Sequence, residues 1–340
     1  MKRKSKILIL FLCVFLLTGC AKTLVDENKK MVTYDASIIC NKCTCEEIED
    51  EKEKKTCESN CNTKCENAKK NQTGQRLTQN ILCQPTNEDV IEIYETYGVD
   101  INSLPSCSNF KLASGYEGLW VSLFVKPLAW LILKLGSVLN NYGLSLVIIS
   151  ILIRVVLMPM TKKTAMQSEN LKKAEPELNR INKKYEGKTD QESQMQKAQE
   201  TMMVYKKYDI NPASSCLFAF IQIPLLFAFI EAINRTPAIF EGKFLGLHLG
   251  ITPWTAITSG SWYYIFIVII LGVITYYSLN MNKGAGAPGM DTEKQMNMMN
   301  KFMLVFIVYA SFTLSTAICL YWISSSLCTV IQNILVKREK

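Results

Sequence analysis

Long runs without charged residues dominate the chain after residue 118, whereas residues 21–118 are polar and rich in cysteine. A globular core spreads its apolar residues at a period of 2 or 3.6, whereas uncharged runs of 18 or more residues indicate bilayer spans. The pattern therefore predicts an all-α membrane protein joined to a small polar segment. It argues against the two soluble domains that a length of 340 residues would otherwise allow.

Charge and length divide the apolar region into one interfacial helix and five spans. Residues 119–140 are predicted to form an amphipathic interfacial helix, with Lys126 and Lys134 on one face and Trp120 and Trp130 at headgroup level. If residues 119–140 and the following run both spanned the bilayer, residues 162–207 would lie outside the cytoplasm. That segment carries eleven basic and seven acidic residues, so the positive-inside rule argues against this arrangement. The predicted core covers residues 141–340, with spans near 142–161, 213–234, 262–280, 302–314 and 317–336, a cytoplasmic helical hairpin at 162–208 and a cytoplasmic C-terminus.

The last two of these spans come from a single run of 35 residues without charge, Phe302 to Val336. One helix of that length would measure about 52 Å, against a hydrocarbon core of about 30 Å. Basic residues flank the run at both ends, so both ends favour the cytoplasm. Two spans that turn near residues 311–315 satisfy both constraints.

The first twenty residues have the pattern of a targeting segment. Four basic residues within positions 2–6 precede a short apolar stretch at 7–17, which is typical of a secretory signal. The stretch ends in Leu17-Thr18-Gly19-Cys20, which looks like a bacterial lipobox. We therefore expect a lipoprotein signal peptide at 1–19 and acylation of Cys20, with palmitate among the attached lipids. The N-terminus would then be extracytoplasmic and anchored in the cell (plasma) membrane; an uncleaved anchor with an incidental cysteine is the alternative.

Residues 20–118 are predicted to form a disulfide-rich extracytoplasmic segment. Its part from residue 21 carries twelve basic and seventeen acidic residues, and few large hydrophobic ones. An even number of cysteines in that setting indicates disulfides, although eight cysteines allow 105 pairings. Zinc is the alternative, because two of the cysteines have the C-x2-C spacing of metal ligands. The disulfide candidates are Cys40, Cys43, Cys45, Cys57, Cys61, Cys65, Cys83 and Cys107.

Three of these cysteines are expected to share one face of a helix. Residues 46–70 are rich in Glu and Lys, which favour helix. Cys57, Cys61 and Cys65 follow one another at intervals of four residues, so their side chains would lie above one another. They would point towards a second stretch of chain.

A charged side chain, Arg154, lies near the centre of the first predicted span. An arginine there costs about 2.5–3.5 kcal/mol on insertion scales, so it requires a partner or water. Snorkelling towards the cytoplasmic end is one alternative, and ordinary interhelical hydrogen bonding is another for each polar neighbour. The predicted lining of a hydrated substrate groove is Arg154, Ser150, Gln222, Thr275, Ser278, Trp322, Ser325, Ser326 and Thr329.

The distribution of reactive residues argues against an enzyme, a cofactor and a metal site. The only histidine, His248, lies in a predicted outer loop, and no nucleophile–base pair occurs in the spans. An anion transporter or channel built on Arg154 is the main alternative, but the sequence shows no inverted repeat. A lipid-anchored receptor or redox protein whose working part is the cysteine-rich segment is another.

Seven short motifs follow one another in order between residues 119 and 336. They are Asn141-Tyr142-Gly143-Leu144, Leu152-Ile153-Arg154, Met158-Pro159-Met160, Pro176-Glu177-Leu178, Asn211-Pro212 with Cys216, Gln222 and Pro224, Arg235-Thr236, and Leu320-Tyr321-Trp322. Together they resemble the YidC/Oxa/Alb family of membrane protein insertases and chaperones, in its Gram-positive lipoprotein form. The sequence departs from the family pattern at Ser215 and Ser278, and its cysteine-rich segment matches nothing in the family.

The resemblance implies a hydrophilic groove that is open to the cytoplasm and to lipid. The family's arginine would be Arg154, with Gln222 and Trp322 as neighbours. Acidic groups of a client's polar tail would bind the guanidinium, and the client's hydrophobic segment would slide into lipid. The implied partners are nascent membrane proteins and lipids, alone or together with the Sec translocon and the ribosome. Neither a specific nucleic acid sequence nor a small-molecule substrate is implied.

Overall fold

The computed structural model describes residues 21–338, apart from residues 47, 114, 212 and 282–291. The predicted signal peptide and Cys20 lie outside the described residues, as do the side chains of 212–223. Helices dominate the described part, and a two-stranded antiparallel hairpin consists of β1 (Lys243–Phe244) and β2 (Leu247–His248). The helices are α1 (Ala36–Lys42), α2 (Glu51–Asn71), α3 (Glu88–Thr96), α4 (Lys126–Leu139), α5 (Tyr142–Lys184), α6 (Gln191–Lys207), α7 (Ala213–Asn234), α8 (Pro237–Phe240), α9 (Pro253–Thr258), α10 (Ile265–Met281), α11 (Thr292–Thr313) and α12 (Thr316–Arg338).

Four stretches of helix among the described residues are long and apolar enough to cross a bilayer. They are Val121–Leu139, Tyr142–Pro159, Trp262–Met281 and Thr316–Val336. The mostly helical class of a membrane protein is therefore confirmed, whereas the number of five spans stays a prediction. The last apolar run is interrupted between Thr313 and Thr316, close to the predicted turn.

The chain divides into two compact units. The first contains Met1–Ile149, Leu226–Ile267 and Ser311–Tyr321, and the second contains Ser150–Leu225, Val268–Ala310 and Trp322–Lys340. All nine predicted groove residues belong to the second unit.

In the first unit, disulfides attach α2 to the chain that precedes it. The helix begins at Glu51 because the Asp50 side chain accepts hydrogen bonds from the next backbone N–H groups, as an N-cap does. Three cysteines of α2 are disulfide-bonded to cysteines within residues 40–45. That stretch is the second stretch of chain that the cysteine spacing predicts, and it runs antiparallel to α2. The four pairs are Cys40–Cys65, Cys43–Cys61, Cys45–Cys57 and Cys83–Cys107.

The cysteine-rich segment (residues 21–118) packs on residues 235–252, the loop between α7 and α9 that contains α8, β1 and β2. Its core includes Leu77 and Ile93, and Phe240 from the loop joins that core with only 3% of its surface exposed. The Leu82 N–H donates to the Arg235 carbonyl at 2.8 Å. The Glu241 carboxylate accepts hydrogen bonds at the N-terminus of α3, where it satisfies otherwise unpaired N–H groups. The segment is therefore part of a shared core rather than a separate domain on a linker.

The same loop also holds the start of α12. The Thr316 N–H donates to the Ile251 carbonyl at 2.9 Å, and the Ala317 N–H donates to the Leu249 carbonyl at 2.9 Å. The next loop residue, Thr252, donates its N–H to the Thr73 carbonyl of the cysteine-rich segment at 3.4 Å. The loop thus links the cysteine-rich segment to a helix almost 250 residues further along the chain.

Replacing Gly143 by alanine is expected to destabilise the first unit. A Cβ atom at this position would lie 2.4 Å from the Phe244 Cβ, which rotation of the phenylalanine side chain does not move. Overpacking of this kind costs about 1–3 kcal/mol, more than the gain in helix propensity. Gly272→Ala is the matched control, because its Cβ would make only a 3.4 Å contact with Val308. Thermal melting in detergent should show a lower midpoint for the first variant alone; equal midpoints would contradict the prediction.

In the second unit, α5 continues without a break from the predicted first span into the predicted hairpin. The helix has 43 residues and contains Pro159 and Pro176, so the predicted boundary at residue 161 is not a helix end. Its second half pairs with α6 around a small apolar core that includes Leu171, Ile181 and Tyr205. Surface charges add little to such a pairing, so this core holds the hairpin together.

Candidate functional site

Arg154 is buried, with 8% of its surface exposed, on the part of α5 that lies in the second unit. Its Nε donates a hydrogen bond to the Ser325 Oγ of α12 at 2.7 Å, and its Nη2 contacts the same oxygen. Ser325 is itself 1% exposed. Because a hydroxyl is neutral, this bond orients the guanidinium without neutralising its charge.

A second polar contact shows that α5 and α12 run in the same direction here. The Thr161 Oγ1 donates to the Gln332 Oε1 at 2.9 Å. Thr161 follows Arg154 by seven residues, and Gln332 follows Ser325 by seven, so the two contacts lie about 10.5 Å apart along both helices. An even number of chain reversals must therefore separate the two helices. Gln332 was missed by the sequence analysis, although it continues the stripe of Ser325 at i+7.

The structure describes burial for most of the other predicted groove residues. Ser150 lies one turn before Arg154 and is buried, as are Ser326 and Thr329 on α12. The Thr329 hydroxyl donates to the Ser325 carbonyl at 3.0 Å, one turn earlier. Thr275 is buried on α10, whereas Ser278 and Trp322 are partly buried. The side chain of Gln222 lies outside the described residues.

A second cluster of charges, in the first unit, was not predicted; Arg235, Glu231 and Lys126 are buried in it, whereas Glu117 is exposed. Arg235 is 1% exposed; its Nη1 lies 3.2 Å from the Glu231 Oε1, and its Nη2 contacts the Glu117 carboxylate. Lys126 Nζ lies 3.0 Å from the Glu117 Oε1, and Trp120 Nε1 donates to the Glu231 Oε2 at 2.9 Å. The ion pair of Glu231 and Arg235 could have been predicted from the sequence, because the two residues lie four positions apart on a helix. The contact of Glu117 with Arg235 could not have been predicted in this way, because the two residues lie more than a hundred positions apart.

The cluster lowers the pKa of Glu117. Burial by itself would raise the pKa of this carboxyl, but the charges and hydrogen bonds of Arg235 and Lys126 outweigh burial. The pKa of Glu117 therefore lies below its ordinary value.

Trp120 and Lys126 have protein partners that the sequence pattern did not predict. Lys126 is 1% exposed and is ion-paired with Glu117, whereas Lys134, eight residues later, is exposed. Trp120 is buried and donates its hydrogen bond to a carboxylate. Counting along one helix could not reveal this, because the partners come from the end of the cysteine-rich segment and from α7.

The cysteine-rich segment contains a group of sulfurs close enough to hold a metal ion. The Sγ atoms of Cys45, Cys57 and Cys61 all lie within 4.8 Å of one another. Zinc binds thiolates, however, and each of these sulfurs is engaged in a disulfide in this structure. The oxidised segment therefore does not fit a zinc site.

Comparison with known proteins covers the apolar part of the chain. The family model described as "60Kd inner membrane protein" matches residues 134–340. Membrane protein insertase YidC of Oceanobacillus iheyensis is 32% identical over 235 residues, which are 68% of this chain and 88% of that protein. Membrane protein insertase MisCA of Bacillus subtilis is 32% identical over 237 residues, 69% of this chain and 86% of that protein.

A further relative, membrane protein insertase YidC of Alkalihalophilus pseudofirmus, is 34% identical over 220 residues, which are 64% of this chain and 81% of that protein. The family match begins at residue 134, so the cysteine-rich segment lies outside it. The resemblance carried by the sequence motifs is confirmed: this chain belongs to the 60Kd inner membrane protein family, together with relatives named YidC and MisCA.

Proposed function

We propose that this chain is a membrane protein insertase, which moves hydrophobic segments of newly made proteins from the cytoplasm into the lipid bilayer. Relatives that carry this name match about two thirds of the chain. The observation that carries the proposal is the buried Arg154, which Ser325 orients between two parallel apolar helices. A charge kept inside such helices is expensive, and it indicates a polar path for part of a client.

In the proposed mechanism, the chain lowers the cost of moving polar groups and changes no covalent bond. The client's polar tail enters a groove lined by the predicted residues, and its carboxylates form charge-assisted hydrogen bonds with Arg154. The client's apolar segment then leaves sideways into lipid, driven by burial of its hydrophobic surface. Such a path needs neither a cofactor nor a nucleophile.

The proposed topology has five spans and an interfacial helix, α4. Two further helices, α7 and α11, have 22 residues each, and their described apolar parts, Pro224–Asn234 and Asn300–Thr313, lie within or overlap the predicted spans near 213–234 and 302–314. With α7, α10 and α11 between α5 and α12, the chain reverses four times, in agreement with the common direction of α5 and α12. Residues 20–118 would then be extracytoplasmic and lipid-anchored at Cys20, and the C-terminus would be cytoplasmic.

The hairpin of α5 and α6 is the proposed first contact for clients. Met195 and Met203 on α6 expose 59% and 61% of their surface. Flexible methionine side chains suit apolar clients of varied sequence. A Sec translocon or a ribosome would deliver the client at this end.

The proposal is tested with purified protein in liposomes. A single-span client with an acidic tail is added, and insertion is scored by protection of the tail from added protease. We expect protection in liposomes that contain the chain and none in empty liposomes; a Sec-free reaction also tests independence from the translocon. Anion flux without insertion would overturn the proposal and favour a channel.

A further inference from the structure

Two disulfides of the cysteine-rich segment touch each other. Cys45 is bonded to Cys57, and Cys43 is bonded to Cys61. The Cys45 Sγ lies 3.7 Å from the Cys61 Sγ, although these two atoms are not bonded to each other. This separation is a contact distance, so a sulfur freed at Cys45 would have the neighbouring disulfide directly within reach.

The four cysteines of these two disulfides differ in solvent exposure. Cys45 is buried, whereas Cys57, Cys61 and Cys43 are partly exposed. A thiolate that arrives from solvent can therefore approach the Cys57 sulfur, and the sulfur that leaves is the buried Cys45. The leaving sulfur is the one in contact with Cys61.

We propose that Cys43, Cys45, Cys57 and Cys61 form a thiol–disulfide exchange site that accepts an external thiol. The incoming thiolate bonds to the Cys57 sulfur and breaks the Cys45–Cys57 bond, which leaves a thiolate on Cys45. That thiolate attacks the Cys61 sulfur, forms a Cys45–Cys61 disulfide and releases Cys43 as a thiolate. Each step exchanges one S–S bond for another, so no external oxidant or reductant is consumed.

The other two disulfides differ from this pair. Cys83 and Cys107 are both buried and are joined in one disulfide, so an external thiol has little access to them. The Cys40–Cys65 bond attaches the C-terminal half of α2 and does not take part in the described sulfur contact. These bonds keep the four exchanging cysteines in place while their partners change. The proposed activity is independent of the insertase function.

The first test is Cys57→Ser in the full-length protein. The variant leaves Cys45 as a free thiol 3.7 Å from the Cys61 Sγ. After alkylation and digestion, mass spectrometry should find Cys61 bonded to Cys43 in some molecules and to Cys45 in others, with the free thiol on Cys45 or on Cys43 respectively. The matched control is Cys107→Ser, which should leave its free thiol on Cys83 alone. A free thiol found only at Cys45 would overturn the proposal.

A second test uses the wild-type chain, so it does not depend on the folding of a variant. Glutathione serves as the external thiol, at a concentration well below that which reduces buried disulfides. We expect a glutathione adduct on Cys57 that accompanies a Cys45–Cys61 disulfide. An adduct on Cys57 with free Cys45 and an intact Cys43–Cys61 bond would refute exchange, as would adducts confined to other cysteines.

Discussion

Replacing Arg154 by alanine is expected to slow the insertion of a client with an acidic tail by about ten- to a hundredfold. A hydrogen bond to a charged group contributes about 1.5–3 kcal/mol, and each 1.36 kcal/mol of barrier corresponds to a factor of ten in rate. Arg154→Lys loses the bidentate hydrogen-bond geometry of the guanidinium but keeps the charge. Because the charge remains, this variant should retain a large part of the activity. The measurement is the initial rate of protease protection in liposomes.

Two controls separate the charge from the fold. A client with a neutral tail should be inserted at nearly equal rates by wild type and Arg154→Ala, because it offers no carboxylate to the guanidinium. Ser324→Ala changes a buried residue of α12 next to Ser325 that is not among the predicted groove residues, and it should leave the rate unchanged. If insertion of the acidic client does not depend on Arg154, the arginine has no role in guiding clients, even if the chain remains an insertase.

Replacing Arg235 by alanine is expected to destabilise the first unit by about 3–5 kcal/mol, because it leaves a buried carboxylate without its partner. Arg235 contacts both Glu117 and Glu231, and its Nε donates to the Asn80 carbonyl at 2.6 Å. The variant therefore loses contacts to the cysteine-rich segment and to α7 together. The measurement is the thermal midpoint in detergent, with protease susceptibility of residues 21–118 as a second readout.

The matched control for this variant is Arg180→Ala, an exposed arginine of the hairpin, which should change the midpoint little. Arg235→Lys should recover part of the loss, since a single ammonium cannot reach all three partners. An Arg235→Ala protein with the wild-type midpoint would show that the cluster does not hold the segment in place.

The same cluster predicts an acid-sensitive stability. The folded-state pKa of Glu117 is lower than its ordinary value of 4.5, so the folded state favours the ionised carboxylate. Its contribution is complete above that ordinary value, and it is lost as the pH falls through the lower folded-state pKa. Glu117→Gln should flatten the decline of the thermal midpoint below about pH 4.5. An unchanged acid slope would contradict this assignment.

The candidate site was predictable where it depended on one helix at a time. The stripe of Ser325, Ser326 and Thr329 follows the helical period, and the lone charge of Arg154 stands out in an apolar run. That Ser325 in particular bonds to Arg154 depends on the relative direction and register of α5 and α12. The contact between Gln332 and Thr161 depends on the same register, since the two residues lie 171 positions apart.

The sequence by itself determined the helical membrane class, the turn between the last two helices, the family and the shared face of Cys57, Cys61 and Cys65, because these follow from local periodicity, length and motif order. Only the tertiary structure decided which cysteines pair and that the cysteine-rich segment shares its core with Phe240. It also paired the buried Lys126 with Glu117. Those outcomes depend on contacts between distant parts of the chain, whose free energies are set by packing and desolvation rather than by local sequence.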